Sequence, residues 1–252
     1  MMNKEDLVQF SDGVNTLQGR WSIPDGTENY PLVVLATGDS PSGSKGQTWQ
    51  QLVPMLNACG IATFLFDFSG LGNSPGVYRE LTLSLGCNNF RGVIEYVSNN
   101  GGHNRDRIGA IGASYGGNVI LLEAAKLPQI KVIGLKSPST FLPEGYQLQY
   151  GAELMETWSK DGYSETVGLN YQAVIDSLFH NTYLAARDIK VPVRIVHGTR
   201  DSAVPIRHVR DLIKIIPNGS ILEIPGADHW YAEGNEWEQM ANNLVHFIVD
   251  NL

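Results

Sequence analysis

Six short runs of almost continuously apolar residues recur along the chain. They are residues 32–36, 61–66, 108–111, 132–135, 193–196 and 221–224. Runs of this length with so little alternation are typical of parallel strands that are covered on both faces. Two earlier runs, residues 7–10 and 17–23, flank the turn pair Asp12-Gly13, and this pattern predicts an antiparallel hairpin near the start of the chain.

Between these runs the apolar period changes to that of a helix. Apolar residues recur three and four positions apart in segments near 49–56, 85–97, 119–126, 209–216 and 237–248. Strands that alternate with helices predict an α/β protein with a mostly parallel central sheet and helices on both of its faces. Ligands of such sheets bind outside the carboxyl ends of the strands.

One segment, residues 138–188, interrupts this alternation. It lies between two predicted strands and contains eight aromatic residues. We therefore predict a single domain over residues 1–252, in which residues 138–188 form a small cap inserted over the sheet edge. The aromatic side chains either pack the cap onto the sheet or line a substrate pocket.

Composition and charge exclude several classes of function. The 18 Lys and Arg against 26 Asp and Glu give a formal net charge of -8, which disfavours a nucleic-acid partner. The charged start of the chain and the absence of a long apolar run predict a cytoplasmic protein without a membrane partner. Cys59 and Cys87 are too far apart for a paired motif, and no spacing predicts a metal site or a cofactor. Composition leaves the oligomeric state open.

The spacing Gly-x-Ser-x-Gly occurs twice, and it is a candidate nucleophile motif because a serine on a tight turn after a strand is exposed to substrate. Ser74, in "GNSPG", is followed by Pro75, which has no N–H to donate to an oxyanion. Ser114, in "GASYGG", follows a predicted strand, and glycines let the next helix start close to the turn. We predict that Ser114 is the nucleophile.

A serine nucleophile needs a histidine base and a carboxylate that orients it. His229 lies in a loop directly after the last predicted strand, whereas His103, His197, His208 and His246 are expected to pack or to face solvent; His180, in the predicted cap, stays an alternative. Asp201, in "HGTRDSAVP", is the preferred carboxylate, although it could instead cap the following helix. Asp228 competes, but neighbouring side chains in an extended loop point apart.

The order Ser114, Asp201, His229 and the surrounding motifs resemble those of the α/β-hydrolase superfamily. "GASYGG" resembles its nucleophile elbow, "HGTRDSAVP" its acid loop and "PGADHW" its histidine loop, while "DFSGLGNSPG" resembles a structural loop after the fourth strand. The resemblance covers nearly the whole chain and implies an α/β-hydrolase fold. Within the superfamily the chain is similar to small serine esterases of the hydroxycinnamoyl or feruloyl type and to the catalytic domain of prolyl-oligopeptidase relatives.

The resemblance also implies an oxyanion hole made of two backbone N–H groups. Tyr115, which follows the predicted nucleophile, would supply one, and Asp39, by its position after the third strand, the other. A carboxylate beside a developing oxyanion would oppose catalysis, so we expect the Asp39 side chain to turn toward solvent or toward Lys45. Thr37 and Ser40 are the alternative donors.

The sequence thus predicts a serine hydrolase that cleaves a carboxylic ester of a small to medium apolar or aromatic acyl group through an acyl-enzyme. The expected partner is a small-molecule ester. Three alternatives remain open: a serine peptidase of the prolyl-oligopeptidase type, a thioesterase or acyltransferase, and a binding module built on a hydrolase scaffold.

Overall fold

A computed structural model describes residues 4–25 and 28–252, and these residues contain one eight-stranded sheet. Its strands are Lys4–Ser11 (β1), Thr16–Ile23 (β2), Leu32–Ala36 (β3), Ala62–Asp67 (β4), Ile108–Ala113 (β5), Ile130–Lys136 (β6), Val193–Gly198 (β7) and Gly219–Ile224 (β8). Their order across the sheet is β1-β2-β4-β3-β5-β6-β7-β8. The first two strands pair antiparallel, as the Asp12-Gly13 turn predicted, β2 pairs antiparallel with β4, and β3 to β8 run parallel.

Helices cover both faces of the sheet. The principal helices outside the cap segment are Gln47–Ala58 (α1), Leu83–Asn99 (α2), Ser114–Glu123 (α3), Ile206–Ile213 (α7) and Glu236–Asn251 (α8). α1 and α8 bury apolar side chains with one set of strand residues, while α2, α3 and α7 pack with the other. β3, β4 and β5 are buried along their whole lengths, which explains their continuous apolar runs.

Three helices occupy the predicted cap segment between β6 and β7. They are Leu142–Asp161 (α4), Gln172–Ser177 (α5) and Thr182–Ala186 (α6). α4 is broken at Gly151, whose backbone angles (φ 77°, ψ 166°) are not helical. Trp158 of α4 is fully buried and donates a hydrogen bond from Nε1 to the Leu169 carbonyl at 2.8 Å. The cap residues therefore share an apolar core with the sheet instead of lying loosely over it.

The parallel strands bring several loops to one rim. The chain leaves the carboxyl ends of β3, β5, β6, β7 and β8 on the same edge of the sheet, because these strands all run in one direction. Each residue predicted from the sequence for the site follows one of these ends: Asp39, Ser114, Asp201 and His229 come after β3, β5, β7 and β8. The fold thus gathers positions that are up to 190 residues apart in the chain.

Candidate active site

The turn between β5 and α3 holds Ser114 in a strained conformation. Its φ of 48° lies in the left-handed region, which residues other than glycine rarely adopt. The neighbouring glycines are required by close contacts: a Cβ on Gly116 would lie 2.2 Å from the Thr37 carbonyl oxygen, and one on Gly112 would lie 2.8 Å from the Gly117 nitrogen. Sequence and geometry therefore agree on a tight strand-to-helix turn that lifts the serine to the rim.

Asp201 and His229 are in direct contact. His229 Nδ1 lies 2.7 Å from Asp201 Oδ2, and the other carboxylate oxygen accepts hydrogen bonds from the backbone N–H groups of Ala203 (3.0 Å) and Val204 (2.7 Å). Burial opposes ionisation of Asp201, but the hydrogen bonds from His229 and Val204 outweigh it and hold the pKa of this carboxyl below its ordinary value. Asp201 is therefore ionised at neutral pH and oriented toward the imidazole.

Ser114 lines the same cavity as His229, but its hydroxyl has another partner in this structure. Ser114 Oγ lies 2.8 Å from Ser139 Oγ, and no hydrogen bond joins Ser114 to His229 among the described residues. Hydrogen bonds of catalytic groups are often unformed without substrate. The structure thus brings Asp201 and His229 together and places Ser114 in the same cavity, in contact with Ser139, a residue that the sequence reasoning missed. The position of Ser139, just after β6 at the same rim, is the signal that could have found it.

Lys136, the last residue of β6, was also missed. Its Nζ donates a hydrogen bond to the His229 carbonyl at 2.8 Å and lies 4.8 Å from the centre of the Tyr231 ring. Burial lowers the pKa of Lys136 to about 8, although the charges of Asp201 and Asp228 partly offset that effect. A charged residue at the end of an otherwise apolar strand was the sequence signal. Lys136 holds the backbone of the loop that carries the imidazole.

The two predicted oxyanion donors lie in the first turn of α3 and in the loop after β3. Tyr115 is in the first turn of α3, where backbone N–H groups have no acceptor within the helix. The loop after β3 lies close to Ser114, because a Cβ built on Gly38 would lie 3.6 Å from the Ser114 Cβ. Asp39 follows Gly38 and lines the cavity. The side chains of the alternative donors Thr37 and Ser40 are buried and exposed, respectively.

The sequence predicts that the Asp39 side chain turns toward solvent or toward Lys45. Among the described residues it forms no ion pair with Lys45, and Asp39 is one of the residues that line the cavity. Burial, together with the nearby charge of Asp39, raises the pKa of Tyr78, Tyr146 and Tyr150. Asp39 and these three tyrosines all line the same cavity.

The cavity has a volume of about 840 Å³, within the range of small-molecule sites. It extends from the start of α1 across the rim to the first turns of α4. Its aromatic lining residues are Trp49, Tyr78, Phe141, Tyr146, Tyr150, Trp230, Tyr231 and Trp237. Some of the aromatic residues of the cap segment therefore line the cavity, whereas Trp158 packs in the core.

Two other serines, Ser74 and Ser84, do not form a comparable catalytic site. Ser74 is buried, and its hydroxyl donates to the Asp67 carbonyl at 2.6 Å and accepts the Gln18 N–H at 2.8 Å, so it fixes a loop. Ser84 Oγ lies 2.9 Å from His180 Nε2, but Asp176 approaches the same nitrogen at 3.4 Å. A relay needs the serine and the carboxylate on opposite ring nitrogens, so the contacts of His180 do not match that arrangement.

No group of three or more His, Cys, Asp or Glu side chains is arranged to hold a metal ion in residues 4–25 and 28–252. None of the helices in the same residues is both long enough and apolar enough to cross a bilayer.

Comparison with known sequences gives a family match and several distant relatives. Residues 50–252 match the sequence model of the prolyl oligopeptidase family. The chain is similar to the protein YfhR of Salmonella typhi, with 25% identity over 253 residues that cover 96% of this chain and 81% of that protein. It is also similar to the mitochondrial palmitoyl-protein thioesterase ABHD10 of Bos taurus, with 28% identity over 189 residues, covering 69% of this chain and 58% of that protein.

Solved structures share the whole architecture. Est1E from Butyrivibrio proteoclasticus with bound ferulic acid superposes with a TM-score of 0.86 at 24% identity, covering 97% of this chain and 98% of that chain. Dienelactone hydrolase from Anabaena variabilis gives a TM-score of 0.73 at 20% identity, covering 100% of both chains. These likenesses confirm the α/β-hydrolase fold predicted from the sequence.

Proposed function

The chain belongs to the prolyl oligopeptidase family, and from that premise we propose that it is a serine hydrolase that cleaves carboxylic esters through a covalent acyl-enzyme. The observation that carries the proposal is the 2.7 Å contact between His229 Nδ1 and the buried Asp201 carboxylate, in the cavity that Ser114 also lines. A buried, ionised carboxylate that orients an imidazole is the arrangement that general-base catalysis needs, and this favours an enzyme over a binding module on the same scaffold.

The proposed reaction has two halves. Ser114 Oγ attacks the acyl carbon while His229 Nε2 accepts the hydroxyl proton, since Nδ1 is engaged by Asp201. The backbone N–H groups of Tyr115 and Asp39 stabilise the oxyanion, and the alcohol leaves with the proton from His229. Water then attacks the acyl-enzyme by the same proton transfers in reverse, which releases the acid and restores the serine.

We propose that the substrate carries a small to medium apolar or aromatic acyl group. The aromatic lining and volume of the cavity support this, as does the likeness to Est1E, whose structure holds ferulic acid, an aromatic carboxylic acid. The similarity to a palmitoyl-protein thioesterase supports a second candidate, thioester cleavage. Membership of a peptidase family supports amide cleavage. Parallel rates on matched p-nitrophenyl esters, acyl thioesters and aminoacyl nitroanilides would rank the three.

Covalent labelling tests the proposed nucleophile. A fluorophosphonate should modify Ser114 alone, detected by mass spectrometry of the digested protein, and Ser114→Ala should abolish both the label and ester hydrolysis. Ser84→Ala is the matched control, because Ser84 is exposed and lies 2.9 Å from a histidine nitrogen, yet should keep full labelling. Labelling at Ser84, or an active protein that takes no label, contradicts the proposal.

A further inference from the structure

The segment that connects β6 to the cap contacts the proposed nucleophile twice. The backbone N–H of Ser139 donates a hydrogen bond to the Ser114 carbonyl at 3.0 Å, and the two hydroxyl oxygens lie 2.8 Å apart. Ser139 is 8% exposed and lines the cavity. Pro138 packs against the start of α3, because a Cβ built on Gly117 would lie 2.9 Å from the Pro138 Cβ. Contacts that do not depend on the Ser139 side chain therefore hold its hydroxyl beside Ser114.

The same segment is also bound to the loop that carries His229. Lys136 donates a hydrogen bond to the His229 carbonyl at 2.8 Å, and the hydroxyl oxygens of Ser137 and Tyr231 lie 3.0 Å apart. Residues 136–139 are therefore fixed on the side of the imidazole as well as on the side of the nucleophile. A hydroxyl at the end of this segment has a defined position between the two.

The direction of the hydrogen bond between the two hydroxyls follows from the proposed reaction. A hydroxyl has one proton to donate and two lone pairs with which to accept. When Ser114 gives its proton to His229 Nε2, the Ser114 oxygen can accept a hydrogen bond from Ser139 but cannot donate one to it. In the acyl-enzyme the Ser114 oxygen carries no proton, so Ser139 is again the donor. Among the described residues the Ser139 hydroxyl has no other hydrogen-bond partner.

We propose that the Ser139 hydroxyl is a further catalytic group, which donates a hydrogen bond to Ser114 Oγ and accelerates hydrolysis of the acyl-enzyme. This inference rests on the proposed ester hydrolysis and assigns a residue to its second half. Water adds to the acyl carbon, the bond from that carbon to Ser114 Oγ breaks, and His229 supplies the proton that Oγ gains. Ser139 keeps its own proton throughout. The cap segment, to which Ser139 belongs, thereby takes part in the chemistry.

The strength of this hydrogen bond changes along the reaction. The alkyl oxygen of an ester is a weak acceptor, because its lone pair is delocalised into the carbonyl. It regains that lone pair when water adds, and it gains negative charge as the carbon–oxygen bond breaks. The bond from Ser139 is therefore weakest in the acyl-enzyme and strengthens toward the transition state of deacylation, which is the condition for a faster step. In acylation Ser114 begins as a hydroxyl, already a good acceptor, so there the bond changes little.

Separate measurement of the two halves tests the proposal. The burst of p-nitrophenol on mixing with p-nitrophenyl butanoate gives the rate constant of acylation, and the intact mass of the isolated acyl-enzyme, followed over time, gives that of deacylation. Ser139→Ala should slow deacylation by about threefold to tenfold, the effect of one hydrogen bond, and keep acylation within about twofold of wild type. When deacylation limits turnover, kcat and KM then fall together and kcat/KM stays nearly constant.

Further variants separate the hydrogen bond from packing. Ser139→Thr and Ser139→Val have the same shape, but only the threonine has a hydroxyl, so the threonine variant should deacylate faster by about threefold or more. All of these variants keep the backbone N–H that binds the Ser114 carbonyl. Ser177→Ala is the matched control, because it also removes a buried hydroxyl, one that donates to the Val174 carbonyl at 2.7 Å in α5. It should keep the wild-type rate constants of both halves.

The outcomes separate this inference from the proposed function. An acyl-enzyme that lives no longer in Ser139→Ala than in wild type, or that never accumulates, overturns the role of Ser139, as do equal deacylation rates in the threonine and valine variants. Fluorophosphonate labelling at Ser114 would then leave the hydrolase intact. Faster acylation in Ser139→Ala with unchanged deacylation also overturns the proposal, because Ser139 would then restrain the nucleophile. Absence of both hydrolysis and labelling in the wild type would defeat the proposed function itself.

Discussion

At the scale of single residues, backbone strain is concentrated where the chemistry is proposed. Ser114, Ser137 and Tyr231 have φ values of 48°, 42° and 58°, in the left-handed region that costs non-glycine residues about 1–3 kcal/mol each. They follow β5, β6 and β8 at the same rim. Tyr231 is fixed by hydrogen bonds between its hydroxyl and the Val196 carbonyl and Ser137, each at 3.0 Å. Packing around the rim therefore stabilises conformations that the local sequence disfavours.

The choice between two carboxylates gives the first residue-scale prediction. Asp201→Asn should lower kcat for ester hydrolysis by about 10³-fold to 10⁴-fold, because the imidazole loses the group that fixes its tautomer and stabilises its charge. Asp228→Asn is the control, since Asp228 accepts backbone N–H groups of Trp230 and Ala232 and does not contact the imidazole. Steady-state rates of the wild type and of both variants on one p-nitrophenyl ester measure these effects. Equal losses in the two variants would contradict the assignment of Asp201.

The second residue-scale prediction concerns pH and Lys136. Its pKa is about 8 in the folded protein and 10.5 in a solvated lysine, so the unfolded chain binds the extra proton between these values. The free energy of unfolding of the wild type should therefore rise with pH over this interval, relative to Lys136→Met, by up to about 3 kcal/mol.

Urea unfolding of both proteins at several pH values from 7 to 11 measures this difference, and the comparison cancels the titration of tyrosines and other groups. Parallel pH dependences would contradict a lowered pKa of Lys136 in the folded protein. The variant should also have a lower kcat at every pH, because the carbonyl of His229 loses its donor.

At the scale of elements, the start of α3 lies directly against the end of β3. Gly116 is the contact point, since a Cβ there would meet the carbonyl oxygens of Thr37 and Ala36 at 2.2 and 2.5 Å. Both oxygens belong to backbone, which cannot move aside as a flexible side chain can. The same approach holds the Gly38 loop, and with it the proposed oxyanion donor, beside Ser114.

We therefore predict that Gly116→Ala destabilises the protein by about 3 kcal/mol, at the upper end of typical overpacking costs, and lowers kcat by displacing the loop after β3. Gly102→Ala is the control, because a Cβ at Gly102 would meet only the Tyr30 hydroxyl, at an ordinary 3.7 Å. Urea unfolding and ester hydrolysis are measured on both. Wild-type stability in Gly116→Ala would refute the close approach of α3 to β3.

At the scale of the whole molecule, the cap and the sheet share one apolar core on one face. Trp158 of the cap belongs to the same buried cluster as Ile133 of β6 and Ile195 of β7. It packs edge-on against Tyr146 and Tyr171, with ring centres 5.4 and 5.5 Å apart. The single domain over residues 1–252, with residues 138–188 as its cap, stays a prediction, and this shared core supports it.

Cooperative unfolding tests that prediction. If the cap and the sheet form one unit, far-ultraviolet circular dichroism and tryptophan fluorescence should report the same urea transition. Trp158→Ala should destabilise the whole unit by about 3–5 kcal/mol, as expected for a large buried aromatic residue. Leu148→Ala, on the exposed side of α4, should change stability by less than about 0.5 kcal/mol. Two separate transitions would indicate a cap that unfolds independently.

The amino-acid sequence by itself determined the fold class and the positions of the loops at the rim. Continuous apolar runs marked the strands of the parallel sheet, because strands covered on both faces carry apolar residues at every position. Pro75 indicated that Ser74 is not the nucleophile, and the glycines around Ser114 indicated the tight turn. These signals are local: each depends on residues within one element and its adjoining turn.

Only the tertiary structure decided which side chains meet. The contact of Lys136 with the His229 carbonyl spans 93 residues, that of Ser114 with Ser139 spans 25, and Asp39 lines the cavity without an ion pair to Lys45 among the described residues. No local pattern encodes such contacts, because side-chain direction at a strand end depends on the loops that neighbouring strands bring to the same rim. The chemistry of the site is therefore a property of the assembled sheet edge, where elements distant in the chain exclude water and share hydrogen bonds.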